Sequence, residues 1–390
     1  MKVVLTYRVL QHWRVPVFRR LDGAEGIDFV ALHGSDFVGT KAVNSRDLSG
    51  FSHRELFTIR LRLPGGSDRS APTPLCPTLP LELAREKPDV ILAEGGSNIV
   101  NNVLVYLYAF LTGTPIVWWT LGELRRSETS LSIPQRLFRS LVRWMERRSS
   151  ALLGYSSVAI DYFQRNGYDP AKQFRAVNCI DTDLANARME AARERSLGLK
   201  EELGLAGKRI LLFVGALTEG KRLEDLGQVY ARLKQSRPDL CLLIVGDGAY
   251  RSTLESHFAN AGTPDVLFTG QVIDDVSAYF LIGDIFVLPG LGGLAVSEAL
   301  VHGLPVVSAE ADGCEVDLVE EGKNGYRIET GDLETLHDRI AELLDDEAKR
   351  SSMAARSKWI VKNRFNINSY MENLIAALDY AVESSRSKRA

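Results

Sequence analysis

The sequence predicts an α/β protein of two Rossmann-like domains whose parallel sheets face each other across a cleft, and three observations point there. Short apolar runs alternate with amphipathic helical stretches through both halves, the pattern of parallel strands joined by helical crossovers. The 390 residues exceed what one ordinary core holds, so two domains are expected. In the second half, glycine-containing turns follow successive strands, at the sheet end where doubly wound folds bind ligands.

In the first half the expected strands are 3–6, 28–32, 57–60, 90–93, 116–118 and 151–154. The apolar stretch 103–119 is interrupted by Gly113 and Pro115 and falls short of the ~20 residues a membrane span needs. It reads as a buried helix followed by a central strand. Residues 178–182 look like the end of this unit, and 184–207 are polar and helix-prone. A second parallel unit follows, with strands at 210–214, 241–245, 266–268, 285–288, 305–308 and 325–328, then terminal helices.

Composition is that of a globular protein, 45% apolar and 25% charged. The four cysteines, Cys76, Cys179, Cys241 and Cys314, match no metal-ligand spacing. The N-terminus has no secretory apolar core, so a reducing, cytoplasmic location is expected. Residues 1–181 hold 23 Lys and Arg against 17 Asp and Glu, whereas the remainder holds 24 against 33. Seven arginines fall within 125–148, interleaved with Leu137, Phe138, Leu141, Val142, Trp144 and Met145 at helical spacing. Such a helix can lie on an anionic membrane surface, or serve as an ordinary domain helix with snorkelling arginines. Nucleic acid is not an expected partner, because total charge is negative.

Chemistry concentrates in four turns. The first, 215–222 (GALTEGKR), offers Gly215, Lys221 and Arg222 to a diphosphate. The second contains Gly246, and the third offers Gly270 and Val272 to the edge of a base. The fourth follows strand 285–288: Gly290, Gly292 and Gly293 open a helix carrying Glu298. A glycine turn before a helix presents unpaired amides to an anion, and Glu298 can accept two hydrogen bonds from a ribose diol. A nucleoside diphosphate is the natural guest. In the first half, His12 and Arg14 lie beyond the first strand, Glu94, Ser97 and Asn98 form a polar turn, and Glu123 follows strand 116–118. These are candidates to meet an acceptor, with Glu123 and His12 also catalytic candidates. Glu310 and Glu315 read as exposed loop carboxylates.

Five segments carry a family resemblance: FVGALTEGKRLEDL (213–226), LLIVGDGAYRSTLE (242–255), VLFTGQV (266–272), DIFVLPGLGGLAVSEALVHGLPVV (284–307) and DLVEEGKNGYRIETGD (317–332). In this order and spacing the second half resembles the donor-binding domain of family-four retaining glycosyltransferases, which have the two-domain GT-B fold. Residues 155–183 are similar to that family's interdomain crossover, and Arg364-Phe365 to its C-terminal segment, which returns to the first domain. The resemblance implies an acceptor-side domain at 1–183 joined by a helix at about 365–390, with a nucleotide-sugar domain at 184–364. It implies that Lys221 holds the donor phosphates, that amides at Gly293 and Leu294 hold the distal one, and that Glu298 binds the ribose. The implied reaction moves a sugar, with retention, from a nucleoside diphosphate sugar to an acceptor hydroxyl in surface polysaccharide or glycolipid assembly. UDP is the expected carrier and GDP the next. No metal or other cofactor is expected. The protein would work in the cytoplasm or at the inner face of the cell membrane, on a saccharide or lipid-linked saccharide.

Three positions depart from the family pattern. Gly290 stands where the family has a first glutamate, Ala216 where it has an arginine, and Leu121 near a usual histidine. Two alternatives therefore stand beside the transferase: a catalytically degenerate partner protein that binds nucleotide, and a nucleotide-sugar epimerase.

Overall fold

The computed structural model describes residues 1–37, 43–61, 73–122 and 133–387. The chain divides into two compact units, Met1–Ala176 with Asn368–Ala390, and Val177–Ile367.

The first unit is built on a seven-stranded parallel sheet. Across it run Ser52–Glu55, Asp28–His33, Lys2–Tyr7, Val90–Glu94, Ile116–Thr120, Ala151–Gly154 and Gln173–Arg175. Val4 of the first strand lies between Val30 and Ile91. Chain order reverses between Lys2–Tyr7 and Val90–Glu94, the crevice position of doubly wound sheets. The expected strand at 57–60 is displaced. Ser52–Glu55 joins the sheet instead, and Ile59–Leu61 pairs antiparallel with Thr73–Leu75. Ser-His-Arg-Glu makes an edge strand whose polar side chains need no burial, so no apolar alternation announces it. The edge strand Gln173–Arg175, three residues with Phe174 its one apolar side chain, is too short to show alternation either.

Helix Ile99–Thr112 also differs from expectation. Ile99, Val105, Tyr106 and Ala109 face the core, but Val103, Leu107, Phe110 and Leu111 are exposed. The last helix, Ile367–Ser387, belongs from Asn368 onward to this unit, where Tyr380 packs against Phe174 with ring centroids 5.4 Å apart.

The second unit repeats the design with six parallel strands: Val266–Gly270, Leu240–Val245, Arg209–Val214, Ile285–Leu288, Val306–Ala309 and Gly325–Ile328. Its central strands are sandwiched between helices, so they read as unbroken apolar runs rather than alternating ones. Ile210, Leu211, Leu212 and Phe213 are fully buried, each worth about 1.5–3 kcal/mol on the usual scale for apolar burial. Aspartates start several helices. Asp181 accepts from the amides of Asp183 and Leu184, Asp332 from Thr335 and Asp346 from Lys349. Each such cap stabilises its helix by about 1 kcal/mol. The polar stretch after 183 forms helices Thr182–Ala191 and Arg193–Glu202, which pack on helices Leu294–Val301 and Val276–Ile282 of this unit. Chain order reverses between Arg209–Val214 and Ile285–Leu288, so the first and fourth turns flank the switch point.

Candidate functional site

In the second unit the four turns are knitted into one hydrogen-bonded surface. Gly215 N donates to Val245 O at 2.9 Å, and Leu217 N to Asp247 O at 3.0 Å. Gly246 N donates to Gly270 O, and Leu291 N to Gly220 O at 2.8 Å. Two close approaches explain glycines. A Cβ at Gly246 would collide with the Gly215 carbonyl. One at Gly290 would lie 2.8 Å from the carbonyl carbon of Lys221 and 2.9 Å from its oxygen, and nearer still to Gly220 O.

This packing aims Lys221. Its Nζ sits against Gly292, in the place a side chain there would fill, and its Cε passes Gly215. Helix Leu294–Val301 begins beside it at Gly293, an N-cap residue with no side chain to cap the helix. The first amides of a helix have no intrahelical partner and carry the positive end of its dipole. Lysine ammonium and helix N-terminus therefore converge on one place, which suits a diphosphate.

Glu298 is half-buried one turn into that helix. Burial pushes its carboxyl up to about 7, while Arg188 on helix Thr182–Ala191 pulls the other way. Behind it, His302 is stacked on Phe280, with Nδ1 2.8 Å from the Glu298 carbonyl oxygen. Arg188 carried no local signal in the sequence; only the packing of a polar helix onto the glycine-turn helix brings it near.

The remaining donor-side candidates divide. Gly215, Gly246, Gly270, Gly292, Gly293 and Leu294 line the knitted turns, and Val272 is partly buried against the core. Arg222 was expected at the phosphates, but its Nε donates to Asp225 at 2.6 Å, tying it to the first turn of its own helix. Asp312 carries no motif signal in the sequence. Its carboxylate lies against Gly293, accepting from Asn178 Nδ2 and the Cys314 amide. With Cys314 and Glu315 it forms the one group among the described residues whose ligand-type atoms lie within 4.8 Å of one another. Burial holds the Cys314 thiol well above its ordinary pKa, and Glu315 accepts from the Gly313 amide. Those atoms close a turn and suit a metal poorly. Glu315 is thus buried, against expectation, whereas Glu310 is exposed.

In the first unit, Glu94 and Ser97 meet. Glu94 accepts from Ser97 Oγ at 2.5 Å and from the Arg8 amide at 2.6 Å, so this turn is braced from within. Asn98 is buried, its side-chain oxygen accepting from Asn101. Arg14 is 5% exposed and caged rather than presented to a ligand. Its guanidinium lies over Trp119 and Tyr155, 4.8 and 4.7 Å from the ring centroids, and donates to Tyr370 Oη of the last helix at 3.4 Å. It fastens that helix to the sheet. His12 is exposed, edge-on to Trp13. Glu123 lies outside the described residues. Among the described residues no helix is long and apolar enough to cross a membrane.

Comparison with known proteins follows the same division. Residues 199–359 match the family model described as glycosyl transferases group 1. The sulfoquinovosyl transferase SQD2 of Arabidopsis thaliana is 31% identical over 291 residues, covering 71% of this chain and 54% of that protein. The chain thus spans about half the length of that relative. The α-D-kanosaminyltransferase of Streptomyces kanamyceticus is 25% identical over 279 residues, covering 69% of this chain and 71% of the relative. Among solved structures, Anabaena Alr3699/HepE in complex with UDP superposes with a TM-score of 0.75 at 18% identity, covering 97% of this chain and all of the other. Sucrose-phosphate synthase from Thermosynechococcus elongatus gives 0.73 at 15% identity, covering 98% of this chain and all of that one. These likenesses establish the fold as GT-B.

Proposed function

We propose that this chain, whose residues 199–359 form a glycosyl transferases group 1 domain, is a glycosyltransferase that moves a sugar from a nucleoside diphosphate sugar to an acceptor hydroxyl. The observation that carries this reading is the convergence of Lys221 Nζ and the glycine-led N-terminus of helix Leu294–Val301, with Glu298 one turn further on. UDP is the expected carrier; HepE, which shares the fold, was solved with UDP. GDP is the next to test.

The chemistry follows from charge. As the sugar–oxygen bond breaks, negative charge grows on the diphosphate while the anomeric carbon becomes oxocarbenium-like. Fixed amides and one ammonium stabilise that charge without reorganising, the largest single lever in such reactions. Glu298 holds the ribose hydroxyls and so sets the diphosphate in register. Anomeric configuration is retained: the acceptor attacks from the leaving-group face and a donor phosphate oxygen takes its proton. No metal is needed in this scheme. The acceptor is a saccharide or lipid-linked saccharide of surface polysaccharide or glycolipid assembly, and the arginine-rich stretch 125–148 holds the protein at the inner face of the cell membrane.

Incubation with UDP- and GDP-sugars and candidate acceptors tests the reading. Transfer that depends on Lys221 and Glu298 is expected; transfer at wild-type rate by both Lys221→Ala and Glu298→Ala would overturn the site. Gly290, where the family's first glutamate is missing, favours one second reading, a nucleotide-binding partner without turnover. Nucleotide binding with no transfer, alone or beside an active transferase, would decide for it.

A further inference from the structure

The described residues expose 19 large apolar side chains, and nine of them sit on just two helices of the first unit, Ile99–Thr112 and Ile133–Arg148. On the first, Val103, Leu107, Phe110 and Leu111 recur at intervals of four, three and one, a single stripe. Phe110 and Leu111 are 77% and 74% exposed. On the second, Ile133, Leu137, Leu141 and Trp144 make a matching stripe, with Phe138 beside it. The helices touch: Tyr106 and Trp144 have ring centroids 5.8 Å apart, and Tyr106 Oη donates to Met145 O at 3.0 Å. The two stripes therefore belong to neighbouring helices.

Charge decides what covers them. Arg136, Arg139, Arg143 and Arg147 recur at intervals of three and four, forming a basic flank along the apolar stripe of the second helix. That helix's only carboxylate, Glu146, is buried and accepts from Tyr162 and Tyr168, and Ile99–Thr112 has no charged residue at all. A second copy meeting this face through a two-fold axis would set arginines against arginines. A bilayer with anionic headgroups instead takes the apolar stripes into its acyl boundary and pairs the guanidinium groups with lipid phosphates.

We infer that helices Ile99–Thr112 and Ile133–Arg148 form one docking face for an anionic lipid bilayer, with the uncharged helix an equal partner to the arginine-rich one. The inference rests on the membrane reading of 125–148 and adds a second anchor to it. It also has a consequence for the acceptor. Phe138 Cζ lies 3.8 Å from where a Cβ of Gly96 would stand, so the face abuts the Glu94–Asn98 turn. A docked bilayer brings lipid headgroups beside that turn.

The test is vesicle co-sedimentation of the full chain without nucleotide, using phosphatidylcholine with and without one-third phosphatidylglycerol. The wild type should bind the anionic vesicles and be released by high salt. Phe110→Ser with Leu111→Ser, a pair already exposed and so neutral to folding, should weaken binding about tenfold or more, as should Leu137→Ser with Trp144→Ser. Unchanged thermal unfolding of each variant guards against misfolding. Lys221→Ala should bind vesicles as the wild type does, which separates docking from catalysis. Wild-type binding by the Phe110/Leu111 variant would overturn the two-helix face while leaving the arginine helix as sole anchor. No preference for anionic vesicles would overturn the whole inference. So would a wild-type dimer in solution that the Phe110/Leu111 variant renders monomeric, because a second copy would then cover the face.

Discussion

Gly290 invites the simplest engineering idea: restore the acid that related transferases carry there. The structure predicts that this fails. A Cβ at 290 would stand 2.8 Å from the carbonyl carbon of Lys221 and 2.9 Å from its oxygen, inside the range real Cβ atoms avoid, and the obstacle is backbone rather than a movable side chain. The turn at 215–222 must retreat. That costs about 1–3 kcal/mol of overpacking strain, plus about 1 kcal/mol if the 2.8 Å bond from Leu291 N to Gly220 O breaks. In a unit the size of Val177–Ile367, each kcal/mol lowers Tm by about 2–4 °C. Gly290→Ala should therefore lose several degrees, and Gly290→Glu at least as many. Because retreat of that turn carries Lys221 away from Gly292, nucleoside diphosphate affinity should fall about tenfold or more in both. Thermal unfolding paired with a nucleotide titration reads both effects. A Gly290→Glu protein with the wild-type Tm and undiminished nucleotide affinity would refute the reasoning.

Three further expectations follow. Lys221→Ala should lower turnover by about 10²–10³-fold, the scale of losing one preorganised charge-stabilising donor, with an unchanged circular dichroism spectrum; a loss of less than threefold would remove Lys221 from the leaving-group role. The Glu298 carboxyl, pushed up to about 7 by burial, lies above its unfolded value of roughly 4.3. Between those values the folded protein holds the extra proton, so this group's contribution to stability falls as pH rises through that window and is level above it. A carboxylate that accepts from ribose hydroxyls must be ionised, so nucleotide affinity should rise between pH 6 and 8 by up to about tenfold per unit below the pKa. Titrations at several pH values should show Glu298→Gln flattening that rise, and a wild-type affinity already flat there would contradict the assignment. Arg14→Ala removes two buried cation–π contacts and the bond to Tyr370, at a cost of about 2–4 kcal/mol; amide exchange should quicken first in the last helix, and unchanged protection there would deny Arg14 its fastening role.

Much of the fold was legible because both sheets are parallel and buried on both faces. Runs such as Ile-Leu-Leu-Phe-Val at 210–214 admit few other readings. The two edge strands of the first unit's sheet were not legible. Ser52–Glu55 and Gln173–Arg175 are short, mostly polar segments paired along one side only, which leaves no apolar alternation to read. The glycine turns were legible as chemistry, but not the reason for Gly290, since its neighbour in space, the Gly220–Lys221 backbone, is about seventy residues away in sequence. Arg14 shows the reverse error. A basic residue after a first strand suggests a ligand, yet Trp119, Tyr155 and Tyr370 converge on it from three distant segments and enclose it. Residues 103–111 read as a buried helix because the stretch is apolar all round, and composition does not say which face a neighbour covers.

The central claim is that the knitted turns of the second unit hold a nucleoside diphosphate through Lys221 and the helix N-terminus at Gly293. A thermal-shift panel of UDP, GDP and ADP on the wild type and Lys221→Ala tests it most directly. A ligand at a hundred times its Kd adds about 2.7 kcal/mol of stability, worth about 5–10 °C here. One diphosphate, UDP first, should raise the wild-type Tm by that amount and barely move the variant. No shift with any of the three, or an equal shift in the variant, would contradict it.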